Sequence, residues 1–467
     1  MLQALINVFK IPELRNKVLF TLGLLAVYRI GFWIPLPGVS QEELARIYQT
    51  ATESGSALGR AANFVAMFSG GTFSHSTIFG LGIMPYISAS IIFQLLATVY
   101  PRLKKLQEEG PTGRQKILEW TRYVTIGLCV VQAIGWLKVI AGQGVVYPQW
   151  AANPIWWVMA ISALTAGTMF LMWLGEQIDK FGIGNGVSMI IMAGILASMP
   201  QAVIRLYQNF QPGDDTKMGW LGLLFVVGAF VMCVAGSVIM TVAQRRIPIQ
   251  QAKHTRGRQV FGGQKSYLPL RVNHSGVMPV VFASSLMIFP SVIFGMLATS
   301  AGGIPADSWW AWLTPVATWF SDNFHQGRFI YLVCEVTLIY FFAYFWITVQ
   351  FNPEDIAKQL RDHGSFILGL RPGPRTAEYL EAVMERITFV GATMLAVIAI
   401  LPMALSEPLG VDYSITQFLG GTGMLIVVSV VLDFVQRVEA NLMMRNYAGF
   451  LGAEGGSGPK IQSNRSF

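Results

Sequence analysis

Residues 64–96 read FVAMFSGGTFSHSTIFGLGIMPYISASIIFQLL, and the reading of this stretch decides the fold. Its centre, Gly82-Ile83-Met84-Pro85, returns 194 residues later as Gly276-Val277-Met278-Pro279. Each copy opens into small and polar residues inside an apolar run: Ser88-Ala89-Ser90 in the first, Ala283-Ser284-Ser285 in the second. Gly/Pro-interrupted apolar segments at matching places in two halves of a membrane protein point to a site at the repeat interface. The two segments are therefore expected to line and open a path through a bilayer.

The rest of the chain fits that setting. It is 53% hydrophobic and only 12% charged over 467 residues, where soluble domains carry roughly 25% charged residues. Crossing the hydrocarbon core takes about 20 mostly apolar residues. Ten runs qualify: Val18–Pro35, Thr77–Tyr100, Tyr123–Ile140, Ile155–Leu174, Gly186–Arg205, Trp220–Ala243, Gly276–Thr299, Phe329–Gln350, Ile387–Leu405 and Phe418–Phe434. The expected class is an all-α membrane protein with ten transmembrane helices. The first run lacks a small-residue cleavage site after a short apolar core, so it is expected to be a retained span rather than a removable signal. Cys129, Cys233 and Cys334 sit in separate runs, at spacings that suit neither a metal site nor a disulfide framework. They read as packing residues.

Lys and Arg set the orientation. The N-terminus, the even-to-odd connections and the C-terminal tail carry 26 of the 33. The positive-inside rule then places both termini in the cytoplasm. Two cytoplasmic loops stand out at about 30 residues each, long for mere connectors. Arg245–Ser275 holds seven Lys/Arg and no acidic residue; Asn352–Arg386 holds five Lys/Arg against six acidic residues. The first is either a topogenic anchor that touches anionic lipid or a docking surface for a large acidic partner such as a ribosome. Turn chemistry at Gly262-Gly263 and at Gly369 to Gly373 suggests that both loops form protruding hairpins. On the far side, Pro37–Ser76 is a long connection whose last part, Phe64–Phe73, is apolar but too short to span. It reads either as a small wedge seated in a cavity before the second span or as a hairpin lying on the membrane. Gly452–Phe467 is Gly/Ser-rich and reads as a flexible tail.

Catalytic signatures are missing. No H-E-x-x-H, P-loop or G-x-S-x-G pattern occurs, and His75, His254, His274, His325 and His363 are scattered over loops. Enzyme chemistry, cofactors and metals are not expected. Ionisable residues within spans mark function by default, yet there are few, among them Arg29 and Asp433 near span ends and Glu335, the one acid well inside. Glu335 reads as a satisfied, protein-facing residue rather than a proton carrier. Ile83 and Ile87 share a helix face at i,i+4, as do Val187 and Ile191. These pairs are either ordinary packing or a hydrophobic constriction that resists water and ions by dewetting.

Several longer motifs then point to a family. They are Arg29-Ile30-Gly31 leading to Ile34-Pro35-Leu36-Pro37-Gly38; FSGGTFSHSTIFGLGIMPYISASII; TMFLMWLGEQI followed by GIGNG; LPLRVNHSGVMP; GLRPG followed by Thr376; and FLGGTGMLIVV. From about Lys17 to Ala448 the chain resembles the SecY family, the channel subunits of the bacterial Sec protein translocase. The resemblance implies two pseudo-symmetric five-helix halves, an inverted repeat arranged as a clamshell hinged between spans five and six. It divides the chain into residues 1–205, residues 206–448 and a tail at 449–467. An unfolded polypeptide would pass between the halves. Spans two and seven would form a lateral gate, with spans three and eight beside them, through which signal sequences and nascent membrane proteins reach lipid.

The family's pore ring maps onto Ile83, Ile87, Val187, Ile191, Val281 and Ile426. Val187 and Val281 stand where isoleucine is common, implying a slightly wider or softer ring. The plug maps onto about Asn63–Ser74, with Met67, Phe68, Ser69, Gly70 and Gly71 at its centre. Gln94, Ser284 and Ser285 match gate positions. Arg256, Arg258 and Arg371 match loop residues that dock the ribosome or the SecA motor, while Gln251 and His254 depart from the Tyr and Arg common there. Implied partners are the small membrane subunits SecE and SecG, the SecA ATPase, the ribosome and membrane lipids, in the bacterial inner membrane. The competing class is an ion-coupled secondary transporter of a small solute, which would need a midplane cluster of ionisable ligands; the sequence offers Glu335 and little else. A third reading is a scaffold or insertase that only guides helices into lipid.

Overall fold

The computed structural model describes residues 11–46, 76–142, 144–151, 153–210, 219–251, 254–256, 259–261, 265–301, 312–324, 328–406 and 422–451. The expected wedge at 63–74, Arg258 and the tail from 452 onward lie outside the described residues.

Ten helices of 16 to 33 residues answer to the ten expected spans: α1 (Pro12–Gly31), α2 (Met84–Val99), α4 (Pro111–Gly142), α5 (Pro154–Phe181), α6 (Gly186–Asn209), α7 (Trp220–Val242), α8 (Met278–Ala301), α10 (Phe329–Gln350), α12 (Pro374–Ser406) and α13 (Thr422–Leu451). Shorter helices α3 (Pro101–Glu108), α9 (Leu313–Asn323) and α11 (Pro353–Asp362) lie in the connections. Six of the ten (α4, α5, α6, α7, α10 and α12) are long and apolar enough to cross a membrane on length and composition alone.

Local chemistry explains the helix starts. Asn153, Asn185 and Asn352 each accept a backbone N–H of the first turn through the side-chain oxygen, at 3.0, 3.1 and 3.2 Å, opening α5, α6 and α11. Proline occupies the first turn of α1, α2, α3, α5 and α11, where its missing N–H costs nothing. Helix α4 starts twelve residues before its apolar run, α12 thirteen before, and α13 ends seventeen beyond. Charged residues end an apolar run without breaking a helix, so hydropathy alone understates these lengths.

The second span differs from its expected form. Thr77 bridges to Pro35, residues 78–83 are turns, and the helix begins only at Met84. Gly82 adopts φ 57°, a left-handed conformation that bends the chain just before Pro85 enters the first helical turn. Gly276 repeats this at φ 63°, ahead of Pro279. The duplicated GxMP is therefore a duplicated helix start. Below it, the non-helical backbone is satisfied by protein: Ile78 N–H donates to Ile34 O (3.2 Å), Leu36 N–H to Ser76 O (2.8 Å) and Gly82 N–H to Phe79 O (2.7 Å). Irregular backbone at membrane depth survives only where protein or a cavity surrounds it. At its other end α2 meets α3 at a bend of 105°, just before Pro101.

The main core gathers residues from α1, α2, α5, α6, α7, α8, α10, α12 and α13 into one buried cluster. A second cluster, under the Leu36–Val39 turn, centres on the fully buried Trp156, whose Nε1–H donates to Pro37 O at 2.9 Å.

The two long loops correct the expected pair of hairpins. The first is a hairpin: β1 (Gln244–Gln251) pairs antiparallel with β4 (Lys265–Arg271), and β2 (His254–Arg256) with β3 (Gln259–Phe261) extends it. The second is not. It folds as α11 followed by β5 (Ser365–Ile367), which adds to the free edge of β1 in the order β4-β1-β5. Ile247, Leu270, Ile367 and the first turns of α12 (Leu380, Val383, Met384) bury a small core beneath this sheet. The two loops thus form one platform.

Candidate functional site

At the centre of the main core, Ile83, Ile87, Ile191, Val281 and Ile426 are all buried in one cluster, with Val187 packed against it. They come from the start of α2, the first turns of α6 and α8, and α13, so elements from both ends of the chain converge. The repeat offset adds a residue that the sequence reading passed over. Val277 is the mate of Ile83, and it packs against the same cluster.

The start of α6 is held by unusual closeness to α5. A Cβ on Gly186 would stand 1.9 Å from the carbonyl oxygen of Gly175, so only glycine lets the two backbones approach. The Gly186 N–H donates to Asp179 Oδ1 at 2.7 Å, and the Ile183 N–H to Thr21 Oγ1 at 3.3 Å. These bonds fix the turn that aims Val187 and Ile191 inward. Gly167 of α5 is pressed as tightly, with Ile78 O 2.2 Å from its would-be Cβ. Between α4 and α5, Arg122 makes a bidentate pair with Glu176, Nε to Oε1 at 2.9 Å and Nη2 to Oε2 at 2.7 Å. Asp179 and this pair were visible as charges in the sequence, but nothing in their spacing named their partners.

The gate positions are not joined to one another. Gln94 Nε2 donates to Ser90 Oγ within its own helix at 3.3 Å, and its buried Oε1 has no partner among the described residues. Ser284 donates to Val280 O at 2.8 Å and Ser285 to Val281 O at 2.6 Å. Among the described residues no hydrogen bond links Gln94 to either serine; each hydroxyl satisfies itself on its own helix, as serine in an apolar helix does.

Glu335 is buried inside α10, as expected of a protein-facing residue, but it is not fully satisfied: its Oε2 has no partner among the described residues. On the platform, Arg371 is exposed at a turn framed by Gly369 (φ 87°) and Gly373 (φ 129°). The buried Thr376 hydroxyl donates to Arg371 O at 2.9 Å and pins that turn. Arg256 ends β2 on the neighbouring hairpin.

The SecY family profile matches residues 77–435. A Chlamydia muridarum relative named Protein translocase subunit SecY is 40% identical over 459 residues, covering 95% of this chain and 97% of its own. Among solved structures, a protein-conducting channel superposes with a TM-score of 0.59 at 17% identity over 94% of each chain. Sec61 from a canine ribosome–channel complex superposes at 0.56, again at 17% identity and 94% coverage of each. The shared architecture is the ten-helix clamshell of a multi-pass membrane protein. The chain belongs to the SecY family.

Proposed function

We propose that Ile83, Ile87, Val187, Ile191, Val281 and Ile426 form the constriction through which this chain, the pore subunit of a Sec translocon, passes unfolded polypeptide. The observation that carries the reading is their convergence in one buried aliphatic cluster drawn from both halves of the chain. A ring of branched aliphatic side chains yields to a passing segment, yet disfavours a water column when none is present. The plug at Asn63–Ser74 would reinforce that seal. The halves divide at about residue 205, near the end of α6, and swing about the α6–α7 connection. Gln94, Ser284 and Ser285 then lie along the separating edge of α2 and α8, where the Gln94 amide N–H and the two serine hydroxyls, each bonded within its own helix, can part without breaking an inter-helix bond.

The channel is passive. An apolar segment that meets the open gate gains about 25 cal/mol for each Å² it buries in lipid, and the gate lets that preference act. Energy for export comes from a partner, SecA with ATP or a translating ribosome, seated on the platform at Arg256, Arg258 and Arg371. The likeness to a channel solved with a ribosome supports the ribosome as a partner. SecE and SecG complete the complex in the bacterial inner membrane, with both termini and the platform in the cytoplasm, in keeping with the Lys/Arg bias. The test is translocation of a secretory precursor into vesicles holding the chain, its small subunits and SecA. ATP-dependent protection of the precursor from protease is expected, and no protection would refute the assignment.

A further inference from the structure

Helix α9 connects α8 to α10 on the side of the molecule away from the sheet, and it presents two apolar faces. One is packed. Phe320 stacks on Phe294 of α8 with ring centroids 4.9 Å apart, Phe324 meets the same ring at 5.0 Å, and Ala317 is buried. Phe294 lies seven residues before Ala301, the end of α8. At 1.5 Å per residue that is about 10 Å inside the helix end. Helix α9 therefore folds back along the last two turns of α8 and shares their depth; it does not stand above them.

The other face is open. Trp312, Val316 and Trp319 recur at i, i+4 and i+7, which places them on one side of the helix, and they are 58%, 41% and 52% exposed. No charged side chain interrupts the residues between them. The two helices that α9 connects carry exposed apolar side chains near their adjoining ends as well, Ile293 and Leu297 on α8 and Phe329 and Val333 on α10. Apart from Thr314 and Thr318, where the Thr318 hydroxyl donates to Thr314 O at 2.9 Å, the polar residues gather at the C-terminal end, in Ser321, Asp322 and Asn323. A short helix with paired tryptophans, lying at the depth where spans end, matches the chemistry of the headgroup–acyl boundary. There an indole buries its rings against chains and keeps its N–H near polar groups.

We propose that α9 is an interfacial anchor: Trp312, Val316 and Trp319 sit in the headgroup–acyl boundary of the leaflet opposite the platform, and through the Phe294–Phe320–Phe324 stack they tie the outer end of α8 to the membrane surface. Helix α8 carries Val281, Ser284 and Ser285, so the membrane surface becomes one of the supports of the moving edge.

The full chain with Cys334→Ser and Val316→Cys, labelled with an environment-sensitive fluorophore, is reconstituted into vesicles of phosphatidylethanolamine and phosphatidylglycerol. Cys129 and Cys233 are buried and stay unlabelled. A label at Tyr267→Cys, exposed on β4, is the aqueous control. Lipids spin-labelled near the headgroup should quench the position-316 label strongly, and lipids labelled near the chain end weakly. Aqueous iodide should quench it at least about threefold less than the control, as an interfacial site requires. A second carrier, Trp319→Cys, should repeat this order. Iodide quenching equal to the control would put the face in water, and quenching by neither lipid nor iodide would put a protein against it. Stronger quenching from the chain end would place it too deep. Each of these three results overturns the proposal.

Discussion

Gly186 and Gly276 are glycines for different physical reasons, and alanine separates them. At Gly186 the obstacle is the Gly175 carbonyl, 1.9 Å from the added methyl, on a backbone that cannot turn aside. Gly186→Ala should cost more than about 3 kcal/mol, in the range of severe core defects, and should be read as loss of monodisperse protein in detergent. At Gly276 nothing lies within 4 Å, and the demand is only the left-handed φ of 63°. Gly276→Ala should cost about 1–2 kcal/mol, a lowered but cooperative thermal midpoint, and asparagine should recover part of it. His274, between the platform and α8, has its imidazole pushed below its ordinary value of 6.5 by burial and by the nearby Arg271 charge. The folded state therefore binds fewer protons there than the unfolded one. This stabilisation is present above the unfolded pKa and is lost as pH falls toward and through the folded one. Replacing His274→Asn should flatten the acid side of a thermal-stability profile. Glu335→Gln keeps shape and burial, and translocation of a precursor should persist; its loss would give the carboxylate itself a part in transport.

At the scale of elements, the decisive feature is the β1–β5 pairing, which joins Ile249 to Ile367 and Gln251 to Ser365. It makes two loops, more than a hundred residues apart in sequence, a single surface carried on the first turns of α12. A partner that pushes on Arg371 therefore pushes on the sheet and on α12 together. Arg371→Glu should reduce SecA-driven or ribosome-driven translocation by about tenfold or more, the scale of losing a charge-assisted contact, with the thermal midpoint unchanged because the side chain is exposed. Thr376→Val removes the hydroxyl that holds the Arg371 carbonyl and should give a smaller loss with the same partner dependence. The turn chemistry at Gly262-Gly263 marked the β1–β4 hairpin in the sequence. The second partner of β1 was not legible, since three residues of SFI carry no register.

At the scale of the molecule, the proposed closure depends on six aliphatic side chains contributed by segments far apart in the chain. Replacing all six by serine should leave the helices in place, because their other faces still pack. It should open a water path, seen as ion conductance across a planar bilayer without any substrate. A chain that merely guides helices into lipid would stay electrically silent after the same change. The packed residues around the ring, such as Met189, Phe282 and Leu425, bury large side chains that a serine ring does not disturb.

Composition and periodicity determined the class of this protein: apolar runs of bilayer length, a Lys/Arg bias between alternate connections, and a GxMP repeat 194 residues apart. These are properties of single segments, and solvent preference acts on segments one at a time. The true lengths of α4, α12 and α13 escaped hydropathy, because helix continuity follows backbone hydrogen bonds rather than apolarity. Only the tertiary structure decided which faces meet: the convergence of Ile83, Ile87, Ile191, Val281 and Ile426, the backbone contact that demands Gly186, the Arg122–Glu176 pair and the strand that fuses the two loops. Such contacts depend on the relative rotation and depth of helices that are distant in the chain. That geometry is set by close packing of many side chains at once, which no local pattern encodes.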